Sequence, residues 1–246
     1  LFFQSILATN ETTREFFQEK IKELFEIAAR RTLNGATVVI LGAAYKAGTD
    51  QITESPVLGL VEWLVSKGVK EIRIYDPLAI ENMKNWVEAR RFYGVEFEYF
   101  SSEPLKAMRD VDIAIYGTPL EKLTLLSLPA VKEALGEAIL FDGVNLYGIP
   151  GDEASTPSLR GVREAGINYV SFGGRPIGPR FEVYSDLTTR VETEYFPADK
   201  PLPVESQERL RVGVFGAGYV GLVTAALLAK WHDVVLYDID RKRITD

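Results

Sequence analysis

The stretch that decides the fold is residues 211–246, RVGVFGAGYVGLVTAALLAKWHDVVLYDIDRKRITD. An apolar strand, Val212 to Phe215, runs into Gly216-Ala217-Gly218-Tyr219-Val220-Gly221. A run of good helix formers follows, and a second strand, Val234 to Tyr237, ends on Asp238. Each part has a physical task. Gly216 allows the tight turn, Gly218 lets the backbone approach a pyrophosphate, and Gly221 lets the helix sit close to the sheet. The free N–H groups at the helix start hold the anion. Asp238 can accept hydrogen bonds from an adenosine ribose, which favours NAD over NADP. The plainer alternative is a helix–strand turn that merely needs small residues. The strand before the motif, the helix after it and the acid beyond favour a dinucleotide.

Working backwards, residues 179 to 208 carry Pro197, Pro201 and Pro203 among many charges and show no sustained period. They read as a connector, with a short strand near Phe181–Tyr184. Ahead of it lie apolar runs at Thr37–Leu41, Ile72–Tyr75, Val111–Tyr116, Ala138–Phe141 and Tyr169–Phe172, with a further strand candidate at Val95–Tyr99. These read as buried strands. Helical patterns lie between most of them. The clearest is Val57, Leu60, Val61, Leu64 and Val65, started by Pro56 and ended by Gly68. Such alternation predicts an α/β fold, a doubly wound, mostly parallel sheet with helices on both faces. Ligands of such sheets sit at the carboxyl ends of strands, where Asp76-Pro77, Thr118-Pro119 and Asp142-Gly143 fall. The chain opens on a helix-periodic segment through Phe17, Ile21, Leu24, Phe25 and Ala28. Thr12 with Glu15 predicts a capping box at its start and Asn34-Gly35 its stop. Residues 1 to 9 are apolar with no cap before them, as if a longer helix had been cut.

Composition sets outer limits. The 246 residues carry a net charge of −7, so there is no broad basic surface for nucleic acid or an anionic membrane. No apolar run approaches the roughly 20 residues of a membrane span, and a cytoplasmic location is the default. With no cysteine there is no thiolate metal site and no cysteine nucleophile in these residues. The single histidine, His232, lies between the last helix and the last strand and reads as a turn residue rather than a base. No metal site is expected. The turn LGAAYKAGTDQITESP, residues 41–56, lacks the spacing of a dinucleotide fingerprint but carries Lys46 among small residues. A lysine there can bind phosphate or carboxylate. The loop reads equally well as a solvated one with Ser55-Pro56 as an ordinary helix start.

Taken together, these segments resemble the UDP-glucose/GDP-mannose dehydrogenase family. LGAAYKAGTDQITESPVLGLVEWL is similar to its strand–loop–helix of the form LGxxFKxxTDDxRESPxxxL, EIRIYDP to its next strand and AILFDGVNLY to its DGRN segment. REAGINYVSFGGRP is similar to its closing strand, and VGVFGAGYVGLVTAALLA to YDIDRKRI resembles the start of a family member. The resemblance implies an arrangement of parts: 1–34 the end of a central helix and its successor, 35–178 a UDP-sugar-binding domain, 179–208 a linker and 209–246 a partial, Rossmann-like NAD-binding unit. It implies NAD as cofactor and a UDP-sugar as substrate, with further copies of the chain or the remainder of a dehydrogenase as protein partners. Family members oxidise the C6 alcohol of a nucleotide sugar to a carboxylate through a cysteine-bound intermediate. Their GxCFPKD segment is missing here, so no catalytic residue carries over. Gly216, Ala217, Gly218, Tyr219, Val220 and Gly221 match the pyrophosphate loop, Asp238 the ribose acid and Arg243 the basic residue beyond it. Tyr45 and Lys46 match the Phe-Lys pair that contacts the nucleotide sugar. Thr53, Gln51 and Val144 depart from the pattern, the first and last replacing arginines that reach cofactor and substrate. The order, with a C-terminal domain ahead of the start of an N-terminal one, leaves three readings: a permutation cut short, a gene junction or a cloning boundary. A fragment spanning a junction is the favoured one.

Overall fold

The structure, a computed structural model, describes residues 2–148, 157–171, 176–182, 211–215 and 233–237. The chain divides into two compact units, residues 1–194 and 195–246.

The first unit opens with helix α1, Phe2–Ala29. It runs unbroken through Thr12, so the expected capping box is corrected: the backbone there is already helical and offers no free amides to cap. The end is corrected too. The helix stops at Ala29, with Arg30 in the left-handed region at φ 54°, and Asn34-Gly35 belongs to the turn that leads into the sheet.

Six strands then form one parallel sheet: β1 (Thr37–Leu41), β2 (Glu71–Tyr75), β3 (Glu96–Phe100), β4 (Ile113–Tyr116), β5 (Ile139–Asp142) and β6 (Asn168–Ser171). Their order is β3-β2-β1-β4-β5-β6, so the direction of winding reverses between β1 and β4. A topological switch point of this kind is where ligands of doubly wound sheets bind. Between the strands lie α2 (Pro56–Ser66), α3 (Ile80–Arg90), α4 (Pro104–Ala107), α5 (Glu121–Thr124), α6 (Leu128–Leu135) and α7 (Pro157–Glu164), and α8 (Pro179–Glu182) follows β6. The short strand expected near Phe181 is corrected to this last helical turn, in which the Phe181 amide donates to the Gly178 carbonyl.

Both faces of the sheet are covered, which is why its central strands read as continuous apolar runs. Val38 and Ile40 of β1 pack with Ile21, Leu24 and Phe25 of α1 and Val57, Leu60, Val61 and Leu64 of α2. Val39 and Leu41 face the other way, into a core with Val131 and Leu135 of α6 and Leu159 and Val162 of α7. Helix α2 starts where the Ser55 Oγ accepts from the Val57 N–H, with Pro56 supplying a first residue that needs no donor. Among the described residues, no helix is long and apolar enough to cross a membrane.

The described part of the second unit is a parallel pair, β7 (Arg211–Phe215) and β8 (Asp233–Tyr237). Phe215 stands beside Tyr237 in the register, so both strands end together. Gly216 through Gly221, Asp238 and Arg243 lie outside the described residues, as do His232 and the connector from 183 to 210.

Candidate functional site

The carboxyl ends of β1, β2 and β4 hold one loop from three sides. Leaving β1, the chain turns at Gly42, whose φ of +93° only glycine adopts without strain. A Cβ at Gly42 would also lie 2.7 Å from Thr118, so this glycine answers a close approach as well as a turn. The amides of Ala43 and Ala44 donate to one carboxylate oxygen of Asp76, at 2.8 and 3.1 Å. The other oxygen accepts from the amides of Leu78 and Ala79, both at 2.9 Å. The carbonyl of Ala43 accepts from the Ser55 hydroxyl at 2.8 Å and that of Ala44 from the Thr118 hydroxyl at 2.6 Å. Asp76, Ser55 and Thr118 are all buried.

Beyond this clamp the loop turns outward. The Tyr45 amide donates to the Gln51 carbonyl at 2.7 Å, closing the loop's neck. The Thr49 hydroxyl donates to the Lys46 carbonyl at 2.8 Å, and the Asn82 amide donates to the Asp50 carbonyl at 2.8 Å. Tyr45 is 60% exposed, and Lys46 and Thr53 are exposed too. The clamped base thus presents an aromatic ring and a cation at the switch point, a pairing suited to a ring and a phosphate.

A second buried aspartate shapes the neighbouring loop. Asp142 ends β5 and accepts from the amides of Val144 and Tyr147 and from the Tyr169 hydroxyl, at 3.1, 3.2 and 2.8 Å. Burial pushes its carboxyl above the usual carboxylate range, against those hydrogen bonds. The Tyr147 hydroxyl lies 3.1 Å from that of Tyr116, and burial holds the phenol of Tyr116 well above its ordinary value. Val144 packs against this apolar core.

Lys20 escaped attention in the sequence. It is buried on α1, and its Nζ donates to the Ser171 carbonyl at 3.1 Å at the carboxyl end of β6. Burial lowers its pKa to about 8. The signal was present: Lys20 falls three residues after Phe17 and four before Leu24, on the apolar face of the helix.

One cavity, of about 490 Å³, opens at the opposite, amino-terminal end of the sheet. Of its lining cations, Arg31 pairs with Asp112 and Arg180 with Glu137.

The strand order and its switch point define a doubly wound, Rossmann-like α/β protein. The chain belongs to the UDP-glucose/GDP-mannose dehydrogenase family. Residues 39–149 match the family's UDP binding domain and residues 210–246 its NAD binding domain. Among curated relatives, UDP-glucose 6-dehydrogenase TuaD of Bacillus subtilis is 27% identical over 202 residues, covering 82% of this chain and 36% of that protein. The UDP-glucose 6-dehydrogenase of Rickettsia typhi is 29% identical over 114 residues, 46% of this chain and 25% of that one. A solved UDP-glucose dehydrogenase from Pyrobaculum islandicum superposes with a TM-score of 0.49 at 20% identity, covering 70% of this chain and 32% of that one. The chain spans about a third of the length of the curated relatives it matches.

Proposed function

We propose that this chain is part of an NAD-dependent nucleotide-sugar 6-dehydrogenase, which oxidises the C6 alcohol of a UDP-sugar to the uronic acid. In this reading the first unit holds the nucleotide sugar. Tyr45 lies against a ring of the ligand, and the Lys46 ammonium pairs with a phosphate or with the oxygen where the acid forms. The observation that carries it is the exposure of this pair at the switch point of a unit matched to the family's UDP binding domain.

The second unit holds NAD in the same reading, with Gly216 to Gly221 around the pyrophosphate and Asp238 on the ribose. The described strands fit that role: β7 and β8 are parallel and end in register, so the segments after Phe215 and Tyr237 leave the same edge. Bound there, NAD supplies the hydride acceptor. The residues of this chain bind and orient; with no cysteine among the 246, they do not supply the thiol of a covalent intermediate.

A second reading, a non-catalytic nucleotide-sugar-binding or assembly module, is favoured by Val144, which packs in the core where relatives' pattern has an arginine. Titration calorimetry of the full chain with UDP and with NAD tests the first reading. Saturable binding of both supports it, and absence of UDP binding overturns it. Turnover on mixing with a cysteine-bearing segment of a relative separates dehydrogenase from module.

A further inference from the structure

A doubly wound sheet ordinarily leaves two groups free for a dinucleotide. They are the amides of the turn after its first strand, for the pyrophosphate, and an acid at the end of its second strand, for the ribose. The first unit has both, in register. Leu41 stands beside Tyr75 across β1 and β2, the turn follows Leu41, and Asp76 follows Tyr75. Here the two groups satisfy each other: the turn's amides at Ala43 and Ala44 donate to the acid, Asp76, at 2.8 and 3.1 Å. Asp76 is 1% exposed, and its second oxygen is taken by Leu78 and Ala79. The floor of the crevice between β1 and β4 is closed as well. A Cβ on Gly117 would meet the Gly42 carbonyl oxygen at 2.5 Å, and the Thr118 hydroxyl bonds Ala44 across the gap.

We propose that Asp76 is a positioning residue, a built-in anion that fills the seat a ligand's phosphate would otherwise take and so aims Tyr45 and Lys46 outward. Three consequences follow from the geometry. The first unit takes no dinucleotide at its own turn. An anionic ligand of this unit is held by side chains above the loop rather than by backbone amides within it. The aim of Lys46 depends on a carboxylate that the ligand never touches. This rests on the reading of the loop as a nucleotide-sugar site.

The test compares the full chain with Asp76→Ala and Asp76→Asn, using amide hydrogen exchange at Ala43 and Ala44, UDP binding by calorimetry, and formate as the small carboxylate probe. In Asp76→Ala the two amides exchange faster and UDP binds about tenfold more weakly, the loss of charge-assisted hydrogen bonds. Formate restores both in a saturable way, and chloride at equal ionic strength restores neither; a merely structural loss would not respond to formate. A folded Asp76→Ala chain with wild-type UDP affinity overturns the proposal, as does weakened binding that formate leaves unchanged. Should Asp76→Ala not fold, Asp76→Asn decides: faster exchange confined to Ala43 and Ala44 supports the seat, and unchanged exchange refutes it. Failure of the wild-type chain to bind UDP sinks the functional reading alone, because the exchange arm is read without UDP.

Discussion

In both units the first strand runs parallel to the second, and its last residue stands beside a tyrosine that precedes an aspartate. In one unit Leu41 lies beside Tyr75 and then comes Asp76; in the other Phe215 lies beside Tyr237 and then comes Asp238. The strands are built to one plan, and the sequences that follow them are not. The first turn spends fourteen residues, Gly42 to Ser55, on a clamped base and an exposed Tyr45-Lys46 tip. The second carries the six-residue motif GAGYVG, residues 216–221. The difference teaches that one strand frame can carry unlike turn sequences. In the reading proposed above, what the turn does with its own amides decides whether a phosphate binds in the turn or above it.

The comparison breaks most easily at Gly42. Gly42→Ala combines a left-handed backbone with a clash against Thr118, and it should destabilise the chain by about 3 kcal/mol or more in urea unfolding. A near-neutral result would mean that the first turn is not closed against β4.

Lys20 tests the carboxyl edge of the first unit electrostatically. Its pKa falls from 10.5 to about 8 on folding, so its favourable contribution is fully present above 10.5 and is lost as pH falls through 8. Wild type should therefore gain up to about 3 kcal/mol relative to Lys20→Met between pH 8 and 10.5, measured by denaturant titration. A flat difference across that window would mean that the ammonium is solvated.

The proposed division of ligands between the units is sharpened by a pair of variants. Lys46→Ala should weaken UDP binding by about 1.5–3 kcal/mol and leave NAD binding and stability unchanged. Gly218→Ala should weaken NAD binding and leave UDP binding alone, because a Cβ obstructs the approach of backbone to pyrophosphate. Calorimetry that finds either variant affecting both ligands would remove the distinction. The smallest effect is expected at Gly48→Ala. Gly48 is also left-handed, at φ +80°, but nothing lies within 4 Å of an added Cβ, so the cost is backbone strain alone, about 1 kcal/mol.

Much of this could be read along the chain. Thr37–Leu41 is a strand in sequence and in structure, and so are the runs ending at Tyr75 and Tyr116, because a strand buried on both faces must be apolar throughout; the run ending at Tyr237 is a strand as well. Ser55-Pro56 opened its helix for the local reason that predicts it. Ends governed by tertiary contact were less legible. The helical stretch Phe2–Ala29 runs through a polar Thr12 that looked like a start, and Pro179–Glu182 forms a helical turn where β-formers suggested a strand.

Sequence by itself determined the alternation of strand and helix, the family, and the residues at the strand ends, since these follow from period, turn chemistry and motif spacing. Only the tertiary structure decided what Asp76, Thr118 and Asp142 do there, and which carbonyl Lys20 reaches. Hydrogen-bond partners 74 and 151 residues apart, such as Thr118 with Ala44 and Lys20 with Ser171, are chosen by strand order and register. No local pattern in the chain encodes them, because strand order and register bring together segments far apart in sequence.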